Sequence, residues 1–379
     1  MKIQQKKFSG TGGWQIVRNN EFDTELCNFV LVFGSTGLLS DKSFYNTIES
    51  SYPNAAILLN STAGEIIDTQ VNDETISLTA IQLEKTTIAT ATLQIENVKD
   101  SFEAGKKLAG QLDPVGLKYV LIIADGQKVN GSDLVLGLQE LLHEDIIITG
   151  GLAGDGAKFA KTVIGLNEVP LEGRIAAIGF YGNNISVTYG SVGGYDSFGH
   201  ERLITKSKQN KLYELDSKPA LDIYKQYLGE YAKDLPLSGL LFPLSIRTNE
   251  YNSSLVRTIL SVNEEEKSLT FAGNMPEGTY ARLMTANFDR LIEGASLAAQ
   301  NTISGKIKEP DLALLISCVG RKLVLNQRIE EEVEVIRGIY GNKTAITGFY
   351  SYGEIAPSLN YHKCELHNQT MTITTFTEE

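Results

Sequence analysis

The sequence predicts a mixed α/β fold, in part α+β, made of repeated strand–helix–strand units in two domains. The main observation is an apolar run that ends in a polar turn, followed by a helical stretch and a second such run. This order occurs three times, over residues 29–35 with 55–66, 119–126 with 146–155, and 311–316 with a run ending at 348. Ser35 lies 30 positions before Glu65 in the first copy. Asp125 lies 30 positions before Asp155 in the second, so we interpret the copies as an internal repeat.

Between the copies, alternating apolar and polar residues predict antiparallel strands and therefore mixed sheets. Residues 74–95 alternate in this way, and we expect a hairpin that turns near Glu84 and Lys85. Residues 182–184 (Gly-Asn-Asn) predict a second hairpin. We expect residues 1–28 to be a short lead-in, residues 29–212 to form a first domain and residues 213–379 to form a second.

Composition and charge argue against several classes of protein. The chain of 379 residues is 42% hydrophobic and has a net charge of -12, whereas nucleic-acid binding needs clustered Lys and Arg. The amino terminus has no apolar core after its lysines, so we expect no secretory signal. No apolar run approaches the roughly 20 residues that cross a bilayer, so no membrane insertion is expected. Three widely spaced cysteines fit a reducing cytoplasm.

Polar turns follow the apolar runs of all three copies and supply the candidate ligand-binding residues. Because parallel strands end at the same edge of a sheet, where open α/β sheets bind ligands, we expect these turns to gather around one pocket. Hydroxyl and carboxylate groups there would contact a small polar ligand, and the glycines would let backbone N–H groups approach it. The candidates are Ser61, Thr62, Gly64, Glu65, Asp125, Gly151, Gly154, Asp155, Ser317, Cys318, Arg321, Tyr350, Tyr352 and Glu354.

Two of these candidates, Arg321 and Cys318, allow different chemistry. Arginine suits a bidentate contact, so Arg321 is expected to bind a ligand carboxylate while acidic side chains of the turns take an ammonium group. Cys318 could act as a nucleophile only beside a base that lowers its pKa, and no histidine stands at a diagnostic spacing. A buried, inert cysteine is the alternative.

His362, Cys364 and His367 form a cluster of the residue types that bind metals. In an extended strand His362 and Cys364 share one face, and His367 points to the other. This geometry argues against one metal bound by all three, and we expect no metal site.

Two groups of short motifs resemble those of a known protein family. In the amino-terminal half the resemblance lies in residues 61–66 (STAGEI), 124–126 (ADG) and 150–155 (GGLAGD). In the carboxyl half it lies in residues 218–224 (KPALDIY), 242–244 (FPL), 317–325 (SCVGRKLVL), 349–357 (FYSYGEIAP) and 367–372 (HNQTMT). The first group is similar to the FIST N domain and the second to the FIST C domain of the FIST proteins, a sensory-domain family. Asn60 stands where the commoner family form has cysteine, which argues against thiol chemistry at that turn.

The resemblance implies a non-enzymatic sensor of a small polar metabolite, with an amino acid as the expected ligand and no cofactor. Family members are often fused to kinase or cyclase output domains. The expected partner here is therefore a separate kinase or cyclase. Two alternatives stay open: a haem-based nitric-oxide sensor with His367 or His362 as the axial ligand, and an enzyme that uses Cys318 or the acidic turns.

Overall fold

In a computed structural model of the chain, three copies of one unit form three six-stranded sheets, and a further eight-stranded sheet is inserted into the third copy. The structure describes residues 1–10, 12–19, 21–247, 254–303, 309–358 and 363–379. The predicted fold class, mixed α/β with repeated strand–helix–strand units and mixed sheets, is confirmed. None of the described helices combines the length and the apolar character needed to cross a membrane.

The first copy begins with a strand where the sequence predicts only a lead-in. Its elements are β1 (Lys2–Ser9), β2 (Gly13–Asn19), β3 (Phe29–Gly34), α1 (Thr36–Leu39), α2 (Lys42–Ser51), β4 (Ala56–Ser61), β5 (Glu65–Ile67), β6 (Gln70–Asn72) and β7 (Thr75–Gln82). The lead-in prediction is wrong for residues 2–9, because β1 pairs with β7 along its whole length.

The second copy contains β8 (Thr87–Gln94), α3 (Ser101–Ala109), β9 (Leu117–Ala124), α4 (Gly131–Gln139), β10 (Ile147–Leu152), β11 (Ile164–Leu166) and β12 (Arg174–Tyr181). The predicted hairpin of residues 74–95 is wrong, although both of its strands exist. β7 already has β1 and β3 on its two edges, so β8 cannot pair with it and joins β12 in another sheet.

The third copy carries a long insertion after its first strand. It begins with β13 (Ile185–Val192). The inserted unit, residues 195–286, comprises β14 (Tyr195–Lys208), β15 (Lys211–Leu215), β16 (Lys218–Pro219), α5 (Ala220–Leu228), β17 (Leu244–Arg247), β18 (Ser254–Arg257), β19 (Ile259–Asn263), β20 (Ser268–Phe271) and β21 (Tyr280–Ala286). The predicted hairpin at residues 182–184 is also wrong, because β12 has β8 and β9 on its edges. The domain boundary expected after residue 212 falls inside β15.

After the inserted unit the third copy resumes with α6 (Phe288–Thr302), β22 (Leu312–Cys318), α7 (Val319–Leu325), α8 (Ile329–Tyr340), β23 (Ala345–Ser351), β24 (Gly353–Pro357), β25 (Cys364–His367) and β26 (Met371–Glu378). The inserted unit has an apolar core of its own, in which Leu212, Tyr224 and Phe271 are buried.

Each copy donates its short strand to the sheet of another copy. The first sheet has the order β11-β4-β3-β7-β1-β2, the second β25-β24-β10-β9-β12-β8, and the third β13-β26-β22-β23-β5-β6. The parallel pairs are β3 with β4, β9 with β10, and β22 with β23. β5 then joins β23, β11 joins β4, and β24 joins β10. The exchange therefore runs in a closed circle through all three sheets.

The three sheets face one apolar core. Phe29, Tyr119 and Leu312, which lie at equivalent positions of β3, β9 and β22, are all buried in it. The cavity near Phe29 and Leu312 measures only about 10 Å³, about the size of a single water molecule. The centre of the body is therefore filled by side chains.

Glycine at position 150 is required by the close approach of β10 to β9. A β-carbon on Gly150 would lie 1.8 Å from the carbonyl oxygen of Ile122. We expect Gly150→Ala to reduce the free energy of unfolding by about 3 kcal/mol, because backbone atoms must move apart. The matched control is Gly338→Ala in α8, where a β-carbon meets nothing within 4 Å and should stabilise by about 1 kcal/mol. Urea unfolding of both variants measures the difference, and equal effects would contradict the prediction.

Candidate functional site

The polar turns of the three copies contact one another directly. The N–H of Ala63 donates to the carbonyl of Tyr350 at 2.8 Å, and the N–H of Gly154 donates to the carbonyl of Ser61 at 2.9 Å. A β-carbon on Gly154 would lie 2.8 Å from the nitrogen of Ala63, so the turns touch at backbone distance. The candidate residues of the different copies are thus brought together, but at these contacts they fill the space instead of enclosing a pocket.

Arg321, the expected carboxylate ligand, is fully buried at the start of α7 and already has a carboxylate partner. Its Nε and Nη2 donate to Oε2 of Glu332 at 3.1 and 2.8 Å. Nη1 donates to the carbonyls of Gly193 and Gln369, and Nη2 also donates to that of Leu291. All five N–H groups of the guanidinium are engaged. A ligand carboxylate could therefore reach Arg321 only by displacing Glu332.

Glu332 collects further candidates around the same pair. Its Oε1 accepts hydrogen bonds from the hydroxyl of Tyr350 at 2.7 Å and from Ser317 at 3.2 Å. Cys318 lies next in the chain, buried and without a disulfide. Burial, with Glu354 nearby, raises the pKa of its thiol, so the thiolate is disfavoured.

Two of the repeated turns bury an acid in the same way. Glu65 accepts hydrogen bonds from the hydroxyls of Thr62 at 2.6 Å and Thr75 at 2.7 Å. Glu354 accepts them from Ser351 at 2.6 Å and Thr370 at 2.9 Å. The backbone N–H of Thr75 also donates to Glu65, and the backbone N–H of Thr370 also donates to Glu354. Burial raises the pKa of each glutamate to about 7, although these hydrogen bonds oppose the shift.

The second copy has no acid at this position, contrary to the correspondence that equal spacing suggests. Glu65 lies opposite Phe349 and Glu354 lies opposite Gly151. The residue in the equivalent register of β11 is Ile164, opposite Asn60. Asp155 belongs instead to the longer connection of residues 153–163, where the sequence spacing no longer follows the strands.

Asp155 and Asp125 are used to hold this connection. Oδ2 of Asp155 accepts the N–H groups of Ala160 and Lys161 at 2.8 and 2.7 Å, and Oδ1 accepts the hydroxyl of Tyr352. Asp125 accepts the hydroxyl of Thr162 at 2.7 Å.

Gly64 and Gly151 occupy close contacts. A β-carbon on Gly64 would lie 2.5 Å from Nζ of Lys322, and one on Gly151 would lie 2.8 Å from Cγ2 of Ile316. Like Asp125 and Asp155, these glycines contact other parts of the protein. Their ligand-binding roles stay predictions.

Of the two histidines proposed as haem ligands, His367 belongs to the described part of the chain. His362 lies outside the described residues. Nε2 of His367 is 3.0 Å from the carbonyl oxygen of Ala356, and burial lowers the pKa of this imidazole to about 4. A neutral imidazole can bind iron, but Nε2 would first have to leave the carbonyl.

A larger cavity, of about 300 Å³, opens away from the predicted turns, between β2 and the end of β5. Its lining residues are Gln5, Val17, Arg18, Asn19 and Asp68. Arg18 donates from Nη1 to the carbonyl of Lys343 at 2.9 Å and from Nη2 to that of Asn342 at 2.8 Å. Burial, with Arg337 nearby, lowers the pKa of its guanidinium. Asp68 accepts a hydrogen bond from Arg337 and stays about half exposed.

Glu332 and the residues that line the cavity were not among the predicted site residues. Glu332 stands in an acidic run typical of a solvated helix face, yet it precedes the buried Ile336 and Tyr340 by four and eight positions. Helical spacing therefore contained the signal that it faces the core. Arg18 and Asp68 come from a supposed lead-in and from a turn, and no local pattern in the sequence joins them.

The chain matches models of two known domain families. A family model of the FIST N domain matches residues 28–218, and a model of the FIST C domain matches residues 220–357. The chain therefore belongs to the FIST family, whose domains are sensory domains of signal transduction.

Individual relatives add little to this assignment. An uncharacterized protein of Methanocaldococcus jannaschii is 26% identical, over 55% of this chain and 41% of its own length. The match thus spans less than half of that relative. A crystal structure of cyanuric acid hydrolase from A. caulinodans aligns over 93% of this chain and 90% of its own, with 8% identity and a TM-score of 0.33. At this TM-score the likeness supports no inference.

Replacing Arg321 should expose the dependence of the fold on the buried ion pair. Arg321→Ala leaves Glu332 charged and without its cation in the interior. We expect the free energy of unfolding to fall by about 3–5 kcal/mol. Arg328→Ala is the control, because this arginine pairs with Asp289 and Glu331 at the surface and its loss should change little. Equal urea midpoints for the two variants would contradict a structural role of the pair.

The buried acids should make stability fall as the pH rises. The pKa of Glu65 is raised to about 7 in the folded chain, from an ordinary value of 4.5. The folded state therefore retains a proton that the unfolded state loses above pH 4.5. Stability should fall between pH 4.5 and 7 by about 3 kcal/mol for this group, and then level off.

Glu65→Gln mimics the protonated acid and should remove this part of the pH dependence. Glu354→Gln should act in the same way, because its carboxyl group has equivalent partners and the same direction of pKa shift. Unfolding in urea at pH 5 and pH 8 measures the effect, with the exposed Glu140→Gln as control. If the Glu65 and Glu140 variants keep the same pH dependence, Glu65 is not the titrating group.

Proposed function

We propose that this protein is a cytoplasmic, non-enzymatic sensor that binds an amino acid and signals through a separate kinase or cyclase. The observation that carries the proposal is the cavity of about 300 Å³ that places Arg18 and Asp68 on one surface. This volume lies at the lower end of the range of small-molecule sites. An amino acid carries a carboxylate and an ammonium group close together, and the two side chains offer the opposite charges.

The chemistry of the lining fits such a ligand. Arginine binds carboxylates through paired N–H groups, and Asp68 can accept an ammonium group. Val17 adds an apolar surface for the remainder of the ligand. A ligand at this cavity contacts neither Arg321 nor Glu332, whereas a carboxylate bound at Arg321 would have to displace Glu332 directly. We therefore prefer the cavity to Arg321 as the ligand site.

A non-catalytic role is supported by the state of the candidate nucleophile. Burial disfavours the thiolate of Cys318, and Glu354, which contributes to its raised pKa, makes a negative charge there still less favourable. Its neighbour Ser317 donates to Glu332. We therefore expect neither Cys318 nor Ser317 to act as a nucleophile.

A thermal-shift screen against the amino acids, each at millimolar concentration, tests the proposal. A ligand at about 100 times its dissociation constant adds roughly 2.7 kcal/mol of stability, which should raise the Tm by a few degrees. For any hit, the same molecule with its carboxylate converted to an amide, or without its amine, should bind about tenfold or more weakly. A hit whose analogues bind equally well would contradict recognition of both charges.

Variants then locate the site. Arg18→Gln should abolish the preference for the free carboxylate, and Asp68→Asn should abolish the preference for the free amine. Arg328→Gln and Glu74→Gln change exposed, ion-paired side chains of the same types and serve as matched controls. Unchanged affinity in both cavity variants would move the site elsewhere, with Arg321 the next residue to test.

Haem addition distinguishes the main alternative. A Soret band that responds to nitric oxide and is lost in His367→Ala would support the hypothesis of a haem-based gas sensor with His367 as the ligand. A Soret band that survives this variant would direct attention to His362. Under the amino-acid proposal, haem produces no specific band.

A further inference from the structure

The amino-acid cavity and the inserted unit are both attached to α8, through Arg337 in its carboxyl-terminal half and Glu332 in its amino-terminal half. At the carboxyl end, Arg337 donates to Asp68 of the cavity and, at 2.7 Å, to the carbonyl of Thr344. Arg18 donates to that same carbonyl at 3.2 Å. A ligand that engages Arg18 and Asp68 would therefore compete for the contacts that fix this end of the helix.

At its amino end, α8 contributes Glu332 to the buried pair with Arg321. The guanidinium of Arg321 also binds both connections of the inserted unit to the body. It donates to the carbonyl of Gly193, just before β14, and to that of Leu291, in the first turns of α6 after β21, each at 2.7 Å. One cation therefore joins the entry and the exit of residues 195–286, and its only ion-pair partner among the described residues is on α8.

We propose that α8 couples ligand binding at the cavity to the orientation of the inserted unit, which acts as the output element of the sensor. The inference rests on the proposed function for its ligand, although the coupling itself does not require one. Glu332 and Arg337 lie five positions apart on α8, about 7.5 Å along its axis, so a displacement of the helix moves both side chains. A rigid helix with charged contacts at both ends can transmit a shift between them.

The direction of coupling follows from the contacts. In the structure Asp68 is held by Arg337 while Glu332 is held by Arg321. A ligand ammonium that takes Asp68 from Arg337 favours a second position of α8, in which the contact of Glu332 with Arg321 is weakened. Weakening either contact should therefore loosen the other, because coupling between sites is reciprocal.

The first test needs no ligand. Asp68→Asn weakens the contact with Arg337, and we expect amide hydrogen exchange of residues 191–196 to accelerate about fivefold or more. Glu74→Gln, an exposed acid paired with Lys158, is the control and should leave this exchange unchanged. Faster exchange confined to residues around the cavity, with residues 191–196 unaffected, would overturn the coupling.

The second test measures affinity for the amino acid identified in the thermal-shift screen. Glu332→Gln weakens the contact with Arg321 and should tighten binding about fivefold or more, although Glu332 does not line the cavity. Glu331→Gln, its exposed neighbour, should leave affinity unchanged. Unchanged affinity in folded Glu332→Gln protein would overturn the proposal. If no amino acid binds the wild-type chain, the proposed function fails while the exchange experiment still decides the coupling.

Discussion

The exchange of strands between copies is the constraint on which the rest of the structure depends. β5, β11 and β24 each complete a sheet that belongs to another copy, and the three exchanges close into a circle. Each exchanged strand follows directly on a polar turn, so the exchange brings the turns of different copies into contact. The same arrangement places three sheets around one apolar core and leaves little empty volume inside it. Polar residues of the repeated turns are consequently buried, and their hydrogen bonds must be made within the protein.

The protein satisfies these buried groups in two different ways. Arg321 and Glu332 neutralise each other and share their remaining hydrogen bonds with backbone carbonyls and hydroxyls. Glu65 and Glu354 have hydroxyl and N–H donors and no ion-pair partner among the described residues, so burial favours their protonated forms. The first arrangement fixes geometry through charge, whereas the second leaves two groups that titrate near neutral pH. The stability of the protein should therefore depend on pH whether or not a ligand is bound.

Much of the fold could be predicted from the sequence because the strands are local features. The apolar runs at residues 29–35 and 119–126 became β3 and β9, and the repeat was visible in their spacing. The partner of each strand could not be predicted, because strand exchange depends on residues hundreds of positions apart. The alternating apolar and polar residues of β7 are typical of a strand with one solvent-exposed face, but every residue of β7 is buried. The candidate turn residues were found by type, while their partners Thr75, Thr370 and Glu332 were missed. Arg18 and Asp68 meet only through the tertiary fold.

The circular exchange has a consequence for biosynthesis. β5 emerges from the ribosome early, yet its neighbour β23 is made roughly 280 residues later. β10 likewise has an open edge until residue 357 of β24 is available. During translation the nascent chain therefore carries incomplete sheets, whose unpaired edges can bind other extended polypeptides. The second and third sheets can therefore be completed only after β24 and β26 have been synthesised, and chaperones that cover strand edges are expected to raise the yield of the native protein.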